Sequence, residues 1–540
     1  MGTDGSAQVR VLGRTTGGTR AHLRQDGVSG ASDDAPVAII GGGPAGLTAA
    51  WELARQGVPV VVFEQDSQVG GLARTVVYKG YRFDIGGHRF FTKVPAVQAI
   101  WRSMLGPDLL KRPRLSRIFY RGKFFDYPLK PFNVLGNLGP WTVASALASY
   151  LVAKLRPVHP EVSFEDWVSN RFGRKLFNVF FKTYTEKVWG MPCSRISAEW
   201  AAQRIRGLSL RSAITNMFFR GGNRGPSAIK TLIDEFEYPR LGPGMMWERF
   251  ADEIAAHGGL VRLNTSVTGV VSAGGRITEL SWASEGREGR QTVSHVISTM
   301  PMSTLVRYLE PSAPPHVAAA ARSLRYRDFI TVAVIIDRPD VFPDNWIYVH
   351  DESVRVGRIQ NYKNWSPDMV PDPGRTCLGM EYFADEGDDL WEMDDASLMR
   401  LASREVEAIG LAPATAIVDG TVLRVPKAYP VYESGYLDSL AILREHLAGL
   451  DNLQLVGRNG MHRYNNQDHS MLTALLAVQN LFGADYDLWR VNSDEEYHEE
   501  HFVADDGSGP REDSELYGYL RQLASTQPRV PPVVPSRGVR

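Results

Sequence analysis

Val37-Ala-Ile-Ile-Gly-Gly-Gly-Pro-Ala-Gly46 decides the fold. Four apolar residues run into Gly41, Gly43 and Gly46, the spacing of a strand that turns into a helix around a pyrophosphate. Gly41 permits the tight turn off the strand, Gly43 lets the backbone approach phosphate, and Gly46 lets the helix sit close to the sheet. The helix N-terminus then faces the anion with unpaired N–H groups. Leu47–Arg55 predicts that helix, Gln56-Gly57 its end, and Val58–Phe63 a second buried strand. Glu64 follows, roughly 20 residues past the glycines, where an acid holds a ribose hydroxyl pair. Strand, glycine turn, helix, strand and acid in this order predict a dinucleotide site.

A second glycine turn, Val69-Gly-Gly-Leu-Ala-Arg-Thr75, carries one cation. It resembles the Gly-Gly-x-x-x-Thr turn of the amine oxidase, protoporphyrinogen oxidase and nucleotide-sugar mutase superfamily, whose resident cofactor is FAD. The resemblance implies Gly71 and Arg74 beside the FAD diphosphate, with Arg74 neutralising charge. A surface turn with a solvated arginine is the plainer reading.

At 540 residues the chain exceeds what one core supports, so two or three structural domains are expected. Sixty basic against 61 acidic residues give a net charge of −1, which offers no global attraction for nucleic acid or an anionic membrane. Cys193 and Cys377 are too few for a disulfide framework and fit a reducing, cytoplasmic setting. Residues 1–34 and 505–540 read as a disordered leader and tail, a misassigned start site being the alternative for the first. Trp141–Ala153 is too short to span a bilayer and reads as a packed helix; peripheral membrane contact is disfavoured because this run lacks a basic face. Stable membrane insertion is therefore not expected, and a homo-oligomer is an open option.

The expected fold class is α/β: a discontinuous Rossmann-like FAD-binding domain (35–93, 237–300 and 441–504), a helical insertion domain (94–236) and a mostly antiparallel β-sheet substrate domain (301–440). The return to the first domain is read from the strand-like Leu453–Val456 and the apolar helix Ser470–Phe482.

Two loops carry candidate chemistry. In Tyr81-Arg-Phe-Asp-Ile-Gly-Gly-His-Arg-Phe-Phe91, Gly86 and Gly87 precede His88, so the backbone can approach a flat ring; alone, His88 reads more readily as a hydrogen-bonded structural histidine than as a reactive one. The polar run Val456–Ser470 ends in a helix and contains Arg458, suited to a diphosphate through helix dipole and guanidinium fork. A metal site from His462, Asp468 and His469 is the rival, without thiolate or metal-type spacing to support it.

Gly86-Gly87-His88, Lys187-Val-Trp-Gly-Met-Pro192 and Asn466-Gln-Asp-His-Ser470 occur in the order found in flavin-dependent mutases of the UDP-galactopyranose mutase family, and the chain resembles the eukaryotic branch over roughly Val37 to Ala484. The resemblance implies that Arg358 and Arg458 grip the substrate diphosphate and that Tyr348, Tyr429 and Tyr464 donate hydroxyls to it. Trp189, Arg204 and Asn466 would border the sugar, and His88 would face the flavin. Gln467 and Asp468 would meet the ribityl side, with Val267 and Gly457 completing the cofactor set; no metal is implied. Where the eukaryotic enzymes hold uracil with Tyr-Pro-Phe-Gln, this chain has Tyr127-Pro-Leu-Lys130, losing an aromatic face and an amide. Guanine becomes a serious option, as in a GDP-altropyranose-type mutase, with Lys130 toward phosphate or base.

The implied reaction is pyranose–furanose interconversion of a nucleotide sugar: N5 of reduced FAD attacks the anomeric carbon, the nucleoside diphosphate leaves, and no net oxidation occurs. NAD(P)H is an admissible reductant. A true oxidase or desaturase of the same superfamily is the alternative, and a flavin-binding scaffold without turnover a second.

Overall fold

The computed structural model describes residues 35–92, 94–127, 129–198 and 235–492. The expected leader and tail lie outside them.

Val37–Ile40 is the middle strand of a five-stranded parallel sheet, ordered Leu453–Leu455, Val296–Ser298, Val37–Ile40, Val60–Phe63, Leu260–Arg262. Both faces are covered, which is why the strand reads as an unbroken apolar run. Val37 and Ile39 share a core with Trp51, Trp247 and Phe250 on the helices Pro44–Arg55 and Gly244–Ala256, together with the helix Gln467–Leu481. Ala38 and Ile40 point the other way, into a core with Val267, Val270 and Leu280 of a four-stranded sheet built from Ser266–Ala273, Arg276–Ser284, Arg287–Thr292 and Leu309–Glu310. The chain thus returns to the first sheet from three distant segments, as the α/β reading requires.

The second large sheet has seven strands in the order Ile417–Pro430, Tyr326–Ile336, Thr376–Ala384, Arg358–Asn361, Trp346–Val349, Ser116–Tyr120, Lys123–Asp126. Trp346–Val349 runs parallel to Ser116–Tyr120, and the other neighbours are antiparallel. The segment read as helical therefore also contributes strands to this sheet. The cause is local: Arg121 (φ 50°) and Gly122 (φ 72°) form a two-residue turn with positive φ at both positions, which closes a hairpin between two short apolar runs.

Helices occupy Pro131–Leu138, Pro140–Leu155, Phe164–Phe172 and Thr183–Trp189. Ser163 and Asp166 form a capping box at the third of these. Pro140–Leu155 departs from the packed helix expected over Trp141–Ala153: Ala146 is its one buried residue, while Trp141 is 87% and Leu155 82% exposed. The helix is attached by one edge, where Gly173 (φ +82°) lets the chain come so close that a Cβ there would lie 2.7 Å from Tyr150 N. Its apolar residues on the far side stay largely exposed among the described residues.

Candidate active site

Two glycine turns abut at the end of the first strand. Gly43 caps the helix Pro44–Arg55 without a side-chain partner for the first N–H groups, leaving them for an anion. A Cβ on Gly71 would lie 3.1 Å from Gly43 Cα, and Gly70 N donates to Gly42 O at 2.8 Å, so the second turn closes over the first. A Cβ on Gly41 would collide with Thr299 Oγ1 and one on Gly46 with Gly41 O, which accounts for glycine at both positions. Arg74 crosses this cradle, donating to Gly71 O (3.0 Å) and pairing with Asp66 (3.2 Å). Glu64, nearly buried, accepts from Gly42 N (2.6 Å) and Asp66 N (2.8 Å); burial raises its pKa against those hydrogen bonds. Val267 is buried two residues past Thr265, whose N–H donates to Glu64 O at 2.8 Å. A glycine cradle, an uncapped helix N-terminus, one arginine and a buried acid at the strand end fit a diphosphate and a ribose.

The next cluster is cationic and aromatic. His88 is half-buried as a residue, and its ring Nδ1 is buried without a hydrogen-bond partner. Its pKa falls to about 3, through burial and then through the charges of Arg458 and Arg358, which places both guanidinium groups within its field. His88 is therefore a neutral ring at physiological pH. Arg358, on its own strand, donates to the fully buried Glu381, which also accepts from Gln360 (2.9 Å). Burial works against the charge of both partners; Glu381 and the surrounding Tyr184, Tyr429 and Tyr348 more than offset this for Arg358, whereas for Glu381 burial outweighs Arg358 and the hydrogen bonds and its pKa is raised. Gly86 and Gly87 are pressed onto these groups: added Cβ atoms would lie 3.3 Å from Arg358 Nη2 and 3.0 Å from Gln360 Nε2.

Arg458, next to Gly457 (φ +79°), donates to Asn465 O (3.1 Å) and Ala428 O (3.2 Å) and lies over the rings of Tyr464 (4.6 Å) and Tyr429 (5.6 Å). Those two rings stack, with centroids 5.6 Å apart and planes at 10°. Tyr348 stands edge-on to Tyr184 and to Tyr127, each at 5.5 Å. Trp189 is buried in a cluster that Tyr429 and Tyr464 border. Lys187, two residues earlier, holds that helix against the seven-stranded sheet by donating to the carbonyls of Val349 (3.4 Å), Asp351 (2.6 Å) and Val356 (3.1 Å); burial lowers its pKa to about 8.

At the last helix, Asn466 is the N-cap and its N–H donates to His469 Nδ1 (3.3 Å); Gln467 accepts from Trp247 Nε1 (3.2 Å), and Asp468 is buried beside His469. His462 turns away, its Nε2 3.4 Å from Val431 O and its ring edge-on to Tyr326, so it does not join Asp468 and His469. Among the described residues no three His, Cys, Asp or Glu side chains are gathered as a metal ion would need.

The structure thus brings Arg358, Arg458, His88, Tyr127, Tyr348, Tyr429, Tyr464 and Trp189 into one region. Lys130 is not among them: it is exposed and paired with Asp126 at 3.2 Å. Arg204 lies outside the described residues. Sequence reading missed Glu381, Gln360 and Tyr184. Glu381 lies in the fully buried strand Thr376–Ala384, and an acid inside an otherwise apolar strand is the signal that could have found it. Tyr184 follows a π-helical turn at Asn178–Lys182, a local irregularity that no residue pattern announces.

A parallel sheet with two abutting glycine turns, joined by a second and mostly antiparallel sheet, suits an FAD-binding fold. The family profile of flavin containing amine oxidoreductases matches residues 44–504, and the chain belongs to that family, with FAD as its cofactor. It is 25% identical to the coproporphyrinogen III oxidase of Mycobacterium tuberculosis over 429 residues, covering 76% of this chain and 90% of that protein. A local match of 54% identity over 54 residues to the inactive all-trans-retinol 13,14-reductase of Danio rerio covers 10% of this chain and 9% of that protein. Among solved structures, reduced UDP-galactopyranose mutase superposes with a TM-score of 0.73 at 21% identity, covering 85% of this chain and 96% of the other. A putative protoporphyrinogen oxidase from Exiguobacterium gives 0.63 at 16% identity, covering 84% and 99%. At these identities both structures speak for the fold alone.

Proposed function

We propose that the chain is a flavin-dependent nucleotide-sugar mutase that interconverts pyranose and furanose forms of a nucleoside-diphosphate hexose. The observation that carries this reading is the pair Arg358 and Arg458 acting on one neutral histidine, His88, with Tyr348, Tyr429 and Tyr464 around them. Two fixed guanidinium groups and several phenols suit a diphosphate, whose charge rises as it leaves the sugar. When bound and reduced, FAD supplies a nucleophile for the anomeric carbon. Arg358, immobilised by Glu381, and Arg458, immobilised by two carbonyls, stabilise the departing diphosphate without reorganising. The tyrosine hydroxyls orient its oxygens, and Trp189 closes the sugar side. His88 stays neutral, so its ring can accept or donate one hydrogen bond at the flavin edge without adding a third cation. The loss of the uracil-holding aromatic and amide at Leu129 and Lys130 favours another base, guanine first.

The second reading, an oxidase, is favoured by the oxidase relatives that align along three quarters of the chain. One experiment separates them. The FAD-bound protein is reduced and offered UDP-, GDP- and TDP-hexoses, and products are followed by NMR. Furanose formation is expected with the sugars of one base and none of the others. No product with any sugar, together with anaerobic bleaching of the oxidised flavin by a porphyrinogen, would replace the mutase by the oxidase.

A further inference from the structure

The helices Pro131–Leu138 and Pro140–Leu155 carry an apolar surface outside the candidate active site. Exposed positions of the second helix are Pro140, Trp141, Ala144, Leu147, Ala148, Leu151, Val152 and Leu155, with Ser145 and Lys154 as the polar exceptions. At 3.6 residues per turn the apolar positions fall on one face. Phe132, on the preceding helix, is itself 88% exposed. Single exposed apolar residues are ordinary, but a contiguous helical face led by Trp and Phe marks an interaction surface.

Charge says what kind. From Tyr127 to Pro160 there is no aspartate or glutamate, although acids make up 61 of the 540 residues, while Lys130, Lys154 and Arg156 are basic. The cations that Trp141–Ala153 itself lacks follow immediately at its C-terminal end, Lys154 and Arg156, while Lys130 precedes the first helix and is paired with Asp126. An apolar face with aromatic residues, a cationic C-terminal end and no acids suits the boundary between headgroups and acyl chains of an anionic bilayer, where tryptophan rings settle and lysine or arginine meets lipid phosphate. No helix among the described residues is long and apolar enough to cross a membrane, so the contact is one of lying on the surface. We infer that this helical pair docks the protein onto anionic lipid. A peripheral face of this type needs no charge on the rest of the molecule, which is consistent with the net charge of −1.

The test is flotation of the full-length, FAD-bound protein with vesicles of phosphatidylcholine alone and of equimolar phosphatidylcholine and phosphatidylglycerol. The wild type is expected to float with the anionic vesicles and remain below with the neutral ones. Trp141→Ser/Leu151→Ser/Leu155→Ser should stay below in both cases with its flavin spectrum and melting temperature retained, since exposed positions tolerate exchange. Lys154→Glu/Arg156→Glu should lose the anionic preference. The inference is overturned if the wild type does not float with anionic vesicles or if the triple variant floats as the wild type does. It is equally overturned if sedimentation velocity shows a wild-type dimer that the triple variant dissolves, for a second copy would then cover the face.

Discussion

Arg358 donates through Nε to Glu381, a carboxylate with no solvent exposure. The bond fixes the guanidinium of Arg358 among the tyrosines, so on the proposed function Glu381 acts on the substrate through Arg358. Removing one partner of a buried pair leaves the other charge uncompensated, at a cost of about 3–5 kcal/mol. Glu381→Ala is expected to lower stability by that order in urea denaturation. Glu381→Gln, which keeps a hydrogen-bond acceptor, should lose less stability yet raise the KM for a diphosphate substrate. Equal stability of wild type and Glu381→Ala would mean that the pair is not closed in solution.

Arg458 is the second cation on the same region, held over Tyr464 and Tyr429. On the mutase reading its loss removes charge stabilisation at the leaving group while leaving the glycine cradle intact. Arg458→Ala is expected to keep its bound FAD and to lose about 10²- to 10³-fold in turnover. Normal turnover with intact flavin would remove the diphosphate assignment.

Much of this was legible in residue order. The parallel sheet follows from an apolar run ending in spaced glycines, because a strand covered on both faces needs no alternation. The tyrosine and arginine set was found by ordered resemblance, since each residue alone is an ordinary aromatic or cation. Three features were hidden for physical reasons. The hairpin at Arg121-Gly122 has a non-glycine residue at positive φ, which turn composition signals weakly. Glu381 becomes part of the site only through tertiary pairing with Arg358. The exposure of Pro140–Leu155 was misread because its composition is that of a core helix; apolar content says that a face will be covered without saying by what.

Gly46 tests the cofactor cradle by sterics. Its Cβ would overlap Gly41 O and come within 3.1 Å of Ile39 Cγ2, so the helix Pro44–Arg55 would have to retreat from the strand. Gly46→Ala is expected to lower both melting temperature and FAD content, with a destabilisation of about 1–3 kcal/mol typical of overpacking. Added FAD should restore part of the melting temperature by mass action. Full flavin occupancy in the variant would show that the turn yields more easily than the close contact implies.

Acid lability follows from buried neutral histidines. Burial first, and nearby cations second, lower His88 and His350 to about 3 and His295 to about 4; burial lowers His462 to about 4. Each normally titrates at 6.5, so between that value and its folded value the unfolded chain binds more protons than the native one. Their contribution to stability is complete above pH 6.5 and is lost as pH falls below it. Asp84, raised by burial to about 7, acts in the opposite sense: its native form holds a proton that the unfolded chain releases near pH 4, and that contribution disappears as pH rises through about 7. A single-residue difference isolates one histidine from this sum. For His350, moving from pH 6.5 to pH 5 costs about 2 kcal/mol, at roughly 1.4 kcal/mol per pH unit. Urea unfolding at pH 7 and pH 5 is expected to show His350→Asn losing about 2 kcal/mol less than the wild type over that interval. Equal losses would mean that the native fold accepts a proton on His350 despite its burial and its stacking on Tyr184.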